Sequence, residues 1–66
     1  MKTYRLEWEM PDGASGIEIY EDDLEALNDL EDLIEDGAEW AQLMEFEAYG
    51  GMIVDETTIR EFVRRE

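Results

Sequence analysis

The side chains able to do chemistry in this chain are carboxylates, and five of them recur at regular steps. Asp22, Glu25, Asp29, Asp32 and Asp36 are separated by 3, 4, 3 and 4 residues. On an α-helix that spacing sets them in one row, with neighbours about 5–6 Å apart. Such a row has three uses: acid–base catalysis by a carboxylate pair, ligation of a hard cation, or presentation of regular negative charge to a cationic surface. The chain has no Cys and no His, which removes thiolate and imidazole chemistry, and with it zinc, redox and histidine-triad sites. Glycoside hydrolysis needs only two carboxylates, but it also needs a pocket of about 300 Å³ or more. A chain of 66 residues leaves little room for one, so an enzyme is not expected. Calcium ligation fails on spacing. An EF-hand loop begun at Asp32 would put Ile34 and Leu43 where oxygen ligands are required. No metal and no cofactor are expected, which leaves the charged surface.

The charge is unevenly placed. There are 20 Asp and Glu against 5 Lys and Arg, for a net charge of −15. All the bases stand near the ends: Lys2, Arg5, Arg60, Arg64 and Arg65. Between Arg5 and Arg60 lie 18 acids and no base. A solvated surface ordinarily mixes both signs, since opposite charges at i,i+4 add a few tenths of a kcal/mol per pair. Here pairs such as Glu25/Asp29 and Asp32/Asp36 each cost about 0.2–0.5 kcal/mol instead. Glu35 and Asp36 also bring the wrong sign to the C-terminal end of a helix dipole. Stability is given up for a field. That field repels phosphates, so direct nucleic-acid binding is not expected. An acidic coat that merely confers solubility is the simplest alternative.

The elements that carry these groups follow from periodicity. With 44% hydrophobic and 11% aromatic residues the chain is expected to fold, as a single domain over residues 1–66 with a thin margin. Tyr4, Leu6, Trp8 and Met10 alternate with Arg5, Glu7 and Glu9, which predicts a half-buried strand over 3–10. Pro11-Asp12-Gly13-Ala14-Ser15-Gly16 reads as a turn, and Ile17 to Tyr20 as the return strand of a hairpin. Asp22 is the expected N-cap of a helix over 22–36 that buries Leu24, Leu27, Leu30 and Ile34 and stops at Gly37. In the next strand Trp40, Met44, Phe46 and Ala48 share a phase opposite to Glu45 and Glu47. This predicts Trp8 and Trp40 in the core, Tyr20 and Tyr49 away from it, and an acidic outer sheet face of Glu7, Glu9, Glu18, Glu45 and Glu47. Gly50-Gly51 turns the chain into a short strand at 52–54. Asp55 then caps a last helix over 56–65, on the spacing of Ile59, Phe62 and Val63. The expected fold is α+β in the order ββαββα, an antiparallel sheet of three to four strands packed on one face by helices.

The row DDLEALNDLEDLIED and the base-free span from Leu6 to Ile59 resemble small acidic inhibitors of phages and mobile elements. Those are DNA mimics, found among anti-CRISPR and anti-restriction proteins. The resemblance covers the whole chain and rests on size, charge and layout rather than on a motif. It implies a non-catalytic phage protein, acting as a monomer in the host bacterial cytoplasm. Its carboxylates would replace DNA phosphates and block the DNA- or PAM-binding site of a CRISPR-Cas surveillance complex. The partner would be a basic nucleic-acid-binding protein, a CRISPR-Cas effector subunit; no membrane is involved. The candidate contact residues are Asp22, Glu25, Asp29, Asp32, Glu35 and Asp36 on the helix, with Glu45 and Glu47 on the sheet. The alternative is an acidic antitoxin, an anti-restriction protein or another binding module for a basic partner.

Overall fold

The computed structural model describes residues 2–64 and, within them, every side chain except those at positions 53 and 54. The order is ββαββ: β1 (Lys2–Glu9), β2 (Ser15–Tyr20), α1 (Asp23–Glu35), β3 (Trp40–Tyr49) and β4 (Met52–Val63). All pairings are antiparallel, in the spatial order β2-β1-β3-β4. Helix α1 lies across one face of the sheet.

Local chemistry explains each boundary. In the first turn Gly13 takes φ +91°, and the Asp12 carboxylate accepts from the Ala14 amide at 3.0 Å. Asp22 sits in extended backbone and its side chain accepts from the Leu24 amide at 3.0 Å, the expected N-cap. Gly37, at φ +98°, ends the helix and lets Ala38 donate back to the Leu33 carbonyl at 3.0 Å. The core joins Tyr4 and Leu6 of β1, Tyr20 of β2, Ala26 and Leu30 of α1, and Ala41 and Leu43 of β3. Trp8, Leu27, Leu33 and Ile34 close its margins.

Strand β4 replaces the helix expected over 56–65. Ile59, Phe62 and Val63 match a helical stripe, but Thr57-Thr58-Ile59 is a β-branched run suited to a pleated surface. The segment pairs with β3 from Trp40↔Val63 to Tyr49↔Met52, which satisfies its backbone groups through non-local bonds that no local pattern announces. Phe62 and Val63 then fall on opposite faces, opposite Ala41 and Trp40 respectively, and Asp55 stands opposite Glu47 instead of capping a helix. Two register shifts let the 12 residues of β4 run against the 10 of β3. The Gly50-Gly51 turn is as expected, with both residues at positive φ.

The face assignments also change. Residues paired across the ladder share a face, so Tyr4/Tyr20, Leu6/Leu43 and Trp8/Ala41 look toward the helix. Tyr20 is therefore a core residue, 8% exposed, and not an outward one. Trp40, Met44 and Phe46 do share a phase, but it is the phase of the uncovered face, so Trp40 lies outside the core. Glu18, Glu45 and Glu47 stand on the helix side of the sheet, leaving Glu7 and Glu9 from the acidic outer face that was expected. Alternation fixes which residues lie together. It does not say which of the two faces α1 will cover.

Candidate anionic face

The helix starts beside the Tyr4/Tyr20 end of the sheet and runs back over β1 and β3 toward Ala41. Its acidic row flanks the apolar stripe and looks toward the edge strand β2. Asp29, Asp32 and Asp36 join Glu18 of β2 around an open cleft of about 360 Å³, whose floor includes Leu6, Trp8, Tyr20 and Leu33. Gly16 makes this shape possible, because a Cβ there would overlap the Trp8 indole packed across β2. Glu25, Asp32, Glu35 and Asp36 are exposed. Asp22 belongs to the row but its carboxylate is engaged as the N-cap.

One contact ties the row to the sheet. The Tyr20 hydroxyl donates to Asp29 Oδ2 at 2.5 Å. Burial, that bond and the nearby Asp29, Glu18 and Glu25 charges push the Tyr20 hydroxyl well above the ordinary tyrosine range. The phenol therefore stays protonated and holds Asp29 in place as an acceptor. Sequence reading missed both Glu18 and Tyr20 as members of this site. The signal was present: the two share a phase, opposite to Ile17 and Ile19.

Glu45 and Glu47 are not part of this group. They lie beyond the N-terminal end of α1, in a second depression of about 260 Å³ shared with Lys2, Tyr49, Asp55 and Thr57. Lys2 Nζ stands 3.4 Å from Glu45 Oε1, and the Tyr49 hydroxyl is hydrogen-bonded to Glu47, which raises its pKa. The eight sequence-predicted contact residues therefore divide between two places, six on the helix and two at the far end of β3.

The bases explain why the row is unopposed. Arg5 Nε pairs with Glu7 at 2.8 Å, and Arg60 Nη1 with Glu31 at 3.3 Å on the β4 side of α1. Arg64 donates to the carbonyls of Ala38 and Ile34, both at 3.1 Å, and so serves as the cation at the helix C-terminus that α1 itself lacks. Each of the four described bases is thus engaged away from the cleft that Glu18 and the helix row share. Among the described residues no cluster of three or more Asp or Glu is arranged to hold a metal ion. The arrangement suits cationic side chains entering singly: an aromatic and aliphatic floor for their stems, and carboxylates at the rim for their charged heads.

Crowding of like charge makes the fold sensitive to salt. Screening shrinks from about 30 Å at 0.01 M to about 3 Å at 1 M, which removes most repulsion along the row. We expect about 1 kcal/mol of added stability between these limits, or a rise in melting temperature of roughly 4–8 °C. Thermal melts followed by circular dichroism check this; a flat response would mean the carboxylates do not repel one another.

The sequence matches no protein-family model, no curated protein and no solved structure in such comparisons.

Proposed function

We propose that this chain is a non-catalytic decoy for DNA, and that the helix row with Glu18 occupies a basic groove that otherwise holds phosphates. The observation that carries this reading is the unopposed row beside β2, in a chain whose described bases are all engaged elsewhere. Five carboxylates from Asp22 to Asp36 follow an axis rising about 1.5 Å per residue, roughly one charge per 5 Å. One strand of DNA carries one charge per about 3.4 Å, a density of the same order. Rigid placement on a helix lets a groove read the row without ordering a loop first. Long-range attraction speeds the encounter, and desolvated arginine contacts then hold the complex.

The partner class is a protein that holds duplex DNA in an arginine- or lysine-lined site. On the resemblance to anti-CRISPR proteins, a CRISPR-Cas surveillance complex is the first to test and a restriction enzyme the second. Adding the protein to each purified complex before a labelled duplex should abolish DNA retention. A basic toxin that is neutralised, while neither DNA-binding complex is affected, would move the function to an antitoxin.

A further inference from the structure

Strand β2 is a free edge, and its open backbone groups can be read from the register. The spatial order β2-β1-β3-β4 leaves β2 and β4 each paired on one side alone. The Met10 amide donates to the Ala14 carbonyl at 2.7 Å. Stepping by two along the ladder from there makes Trp8/Gly16, Leu6/Glu18 and Tyr4/Tyr20 the hydrogen-bonded couples. Ser15, Ile17 and Ile19 therefore point their amides and carbonyls away from β1. Among the described residues no loop or helix backbone group takes them up. The Ile17 and Ile19 side chains stand on the face away from α1, 61% and 58% exposed. On the other face Glu18 joins Asp29, Asp32 and Asp36, whose row runs alongside the strand. The edge thus offers backbone groups along its line, apolar side chains on one face and carboxylates on the other. The opposite edge, β4, is guarded by contrast: two register shifts interrupt it, and Asp55, Glu56, Arg60 and Glu61 stand along it.

We propose that an extended basic segment of the partner adds to β2 as a fifth strand, its residues alternating between Arg or Lys and aliphatic side chains. A strand added there lies about 4.8 Å beyond β2, and its side chains alternate between the same two faces. Every second one stands beside Glu18 and the helix row, and those between lie next to Ile17 and Ile19. Alternate residues of a strand repeat every ~6.6 Å, close to the ~5–6 Å step of the helix row, so each cation meets about one carboxylate. Charge selects this occupant over a second copy of the chain, which would bring Glu18 against Glu18 and one acidic row toward the other. A basic strand instead relieves the crowding along the row. The identity of the partner rests on the decoy reading, whereas the edge is tested without it.

The probe is an end-capped octapeptide alternating arginine and valine, titrated into the full chain by calorimetry in about 0.15 M sodium chloride. It should bind one to one, at least about 10-fold more tightly than a block peptide of four arginines followed by four valines. Failure to bind, or equal binding of the two, overturns the proposal. Two further peptides, N-methylated on every valine or on every arginine, each lose the amide donors along one edge only. One should bind within about threefold of the parent and the other at least about 10-fold more weakly; which one weakens tells whether the added strand runs antiparallel or parallel. Charge attraction alone gives both the same affinity, and that result overturns the proposal. Ile17→Pro removes an amide that β1 does not use and leaves every carboxylate in place. It should melt cooperatively and bind the alternating peptide at least about 10-fold more weakly. A folded variant that binds like wild type overturns the proposal; if the variant does not fold, the two N-methylated peptides decide on the wild-type chain. Self-association of the wild-type chain in sedimentation, abolished by Ile17→Pro, would give the edge to a second copy and likewise overturns it. Should the peptide results hold while DNA-binding complexes go uninhibited, the decoy reading fails and the edge assignment stands.

Discussion

Reversing charge at Asp32 and Asp36, by Asp32→Lys with Asp36→Lys, is expected to cost about 3–5 kcal/mol of binding to the DNA-holding partner, over 100-fold. Each reversal turns an attractive contact with a desolvated guanidinium into a like-charge one. The same double variant should be more stable in isolation. Both positions are exposed; the two lysines repel each other as the two carboxylates do, but a lysine at position 32 gains Asp29 and Glu35 as opposite charges three residues away, and a lysine at position 36 suits the helix C-terminus. Binding and stability then move in opposite directions, as a functional charge row requires and a solvated acidic coat does not. Asp29 is the poorer choice, because its carboxylate accepts from the buried Tyr20 hydroxyl. Glu45→Lys with Glu47→Lys serves as the comparison. Loss of binding by that pair alone would place the contact beyond the helix, in the depression with Lys2 and Tyr49. Titration calorimetry beside thermal melts gives both quantities.

Leu43→Ala is expected to cost about 3 kcal/mol. Leu43 is fully buried on β3 beneath α1, with Leu6 opposite it on β1. A chain of 66 residues has roughly 3–10 kcal/mol in total. The melting temperature should therefore fall by about 12–24 °C, and part of the population should be unfolded near room temperature. Ile59→Ala, at a 39% exposed position in β4 skipped by the register with β3, should cost under about 1 kcal/mol. Equal losses at the two positions would mean that β4, and not the α1–β1–β3 layer, carries the fold.

The first 50 residues show how far local pattern reaches. The hairpin, the Asp22 cap, the Gly37 stop and the helix between them each have a signal within a few residues, and each forms where expected. The end of the chain defeats the same reasoning. Ile59, Phe62 and Val63 fit a helix period, and what decides for β4 is a distant partner strand, with Phe62 opposite Ala41 and Val63 opposite Trp40. The site divides along the same line. The helix row follows from spacing alone. Its place beside β2, facing Glu18 and anchored through Tyr20, depends on which side of the sheet the helix covers. Because Ile17 and Ile19 make the outer phase of β2 the more apolar one, alternation pointed to the wrong face.

The central claim is that this anionic face and duplex DNA compete for one groove. The direct measurement is a binding titration of the partner complex with this protein at several fixed concentrations of cognate duplex. The apparent Kd should rise in proportion to the DNA concentration, and a complex already saturated with duplex should not take up the protein. An apparent Kd that stays constant as DNA is added, with a ternary complex formed, would contradict the account.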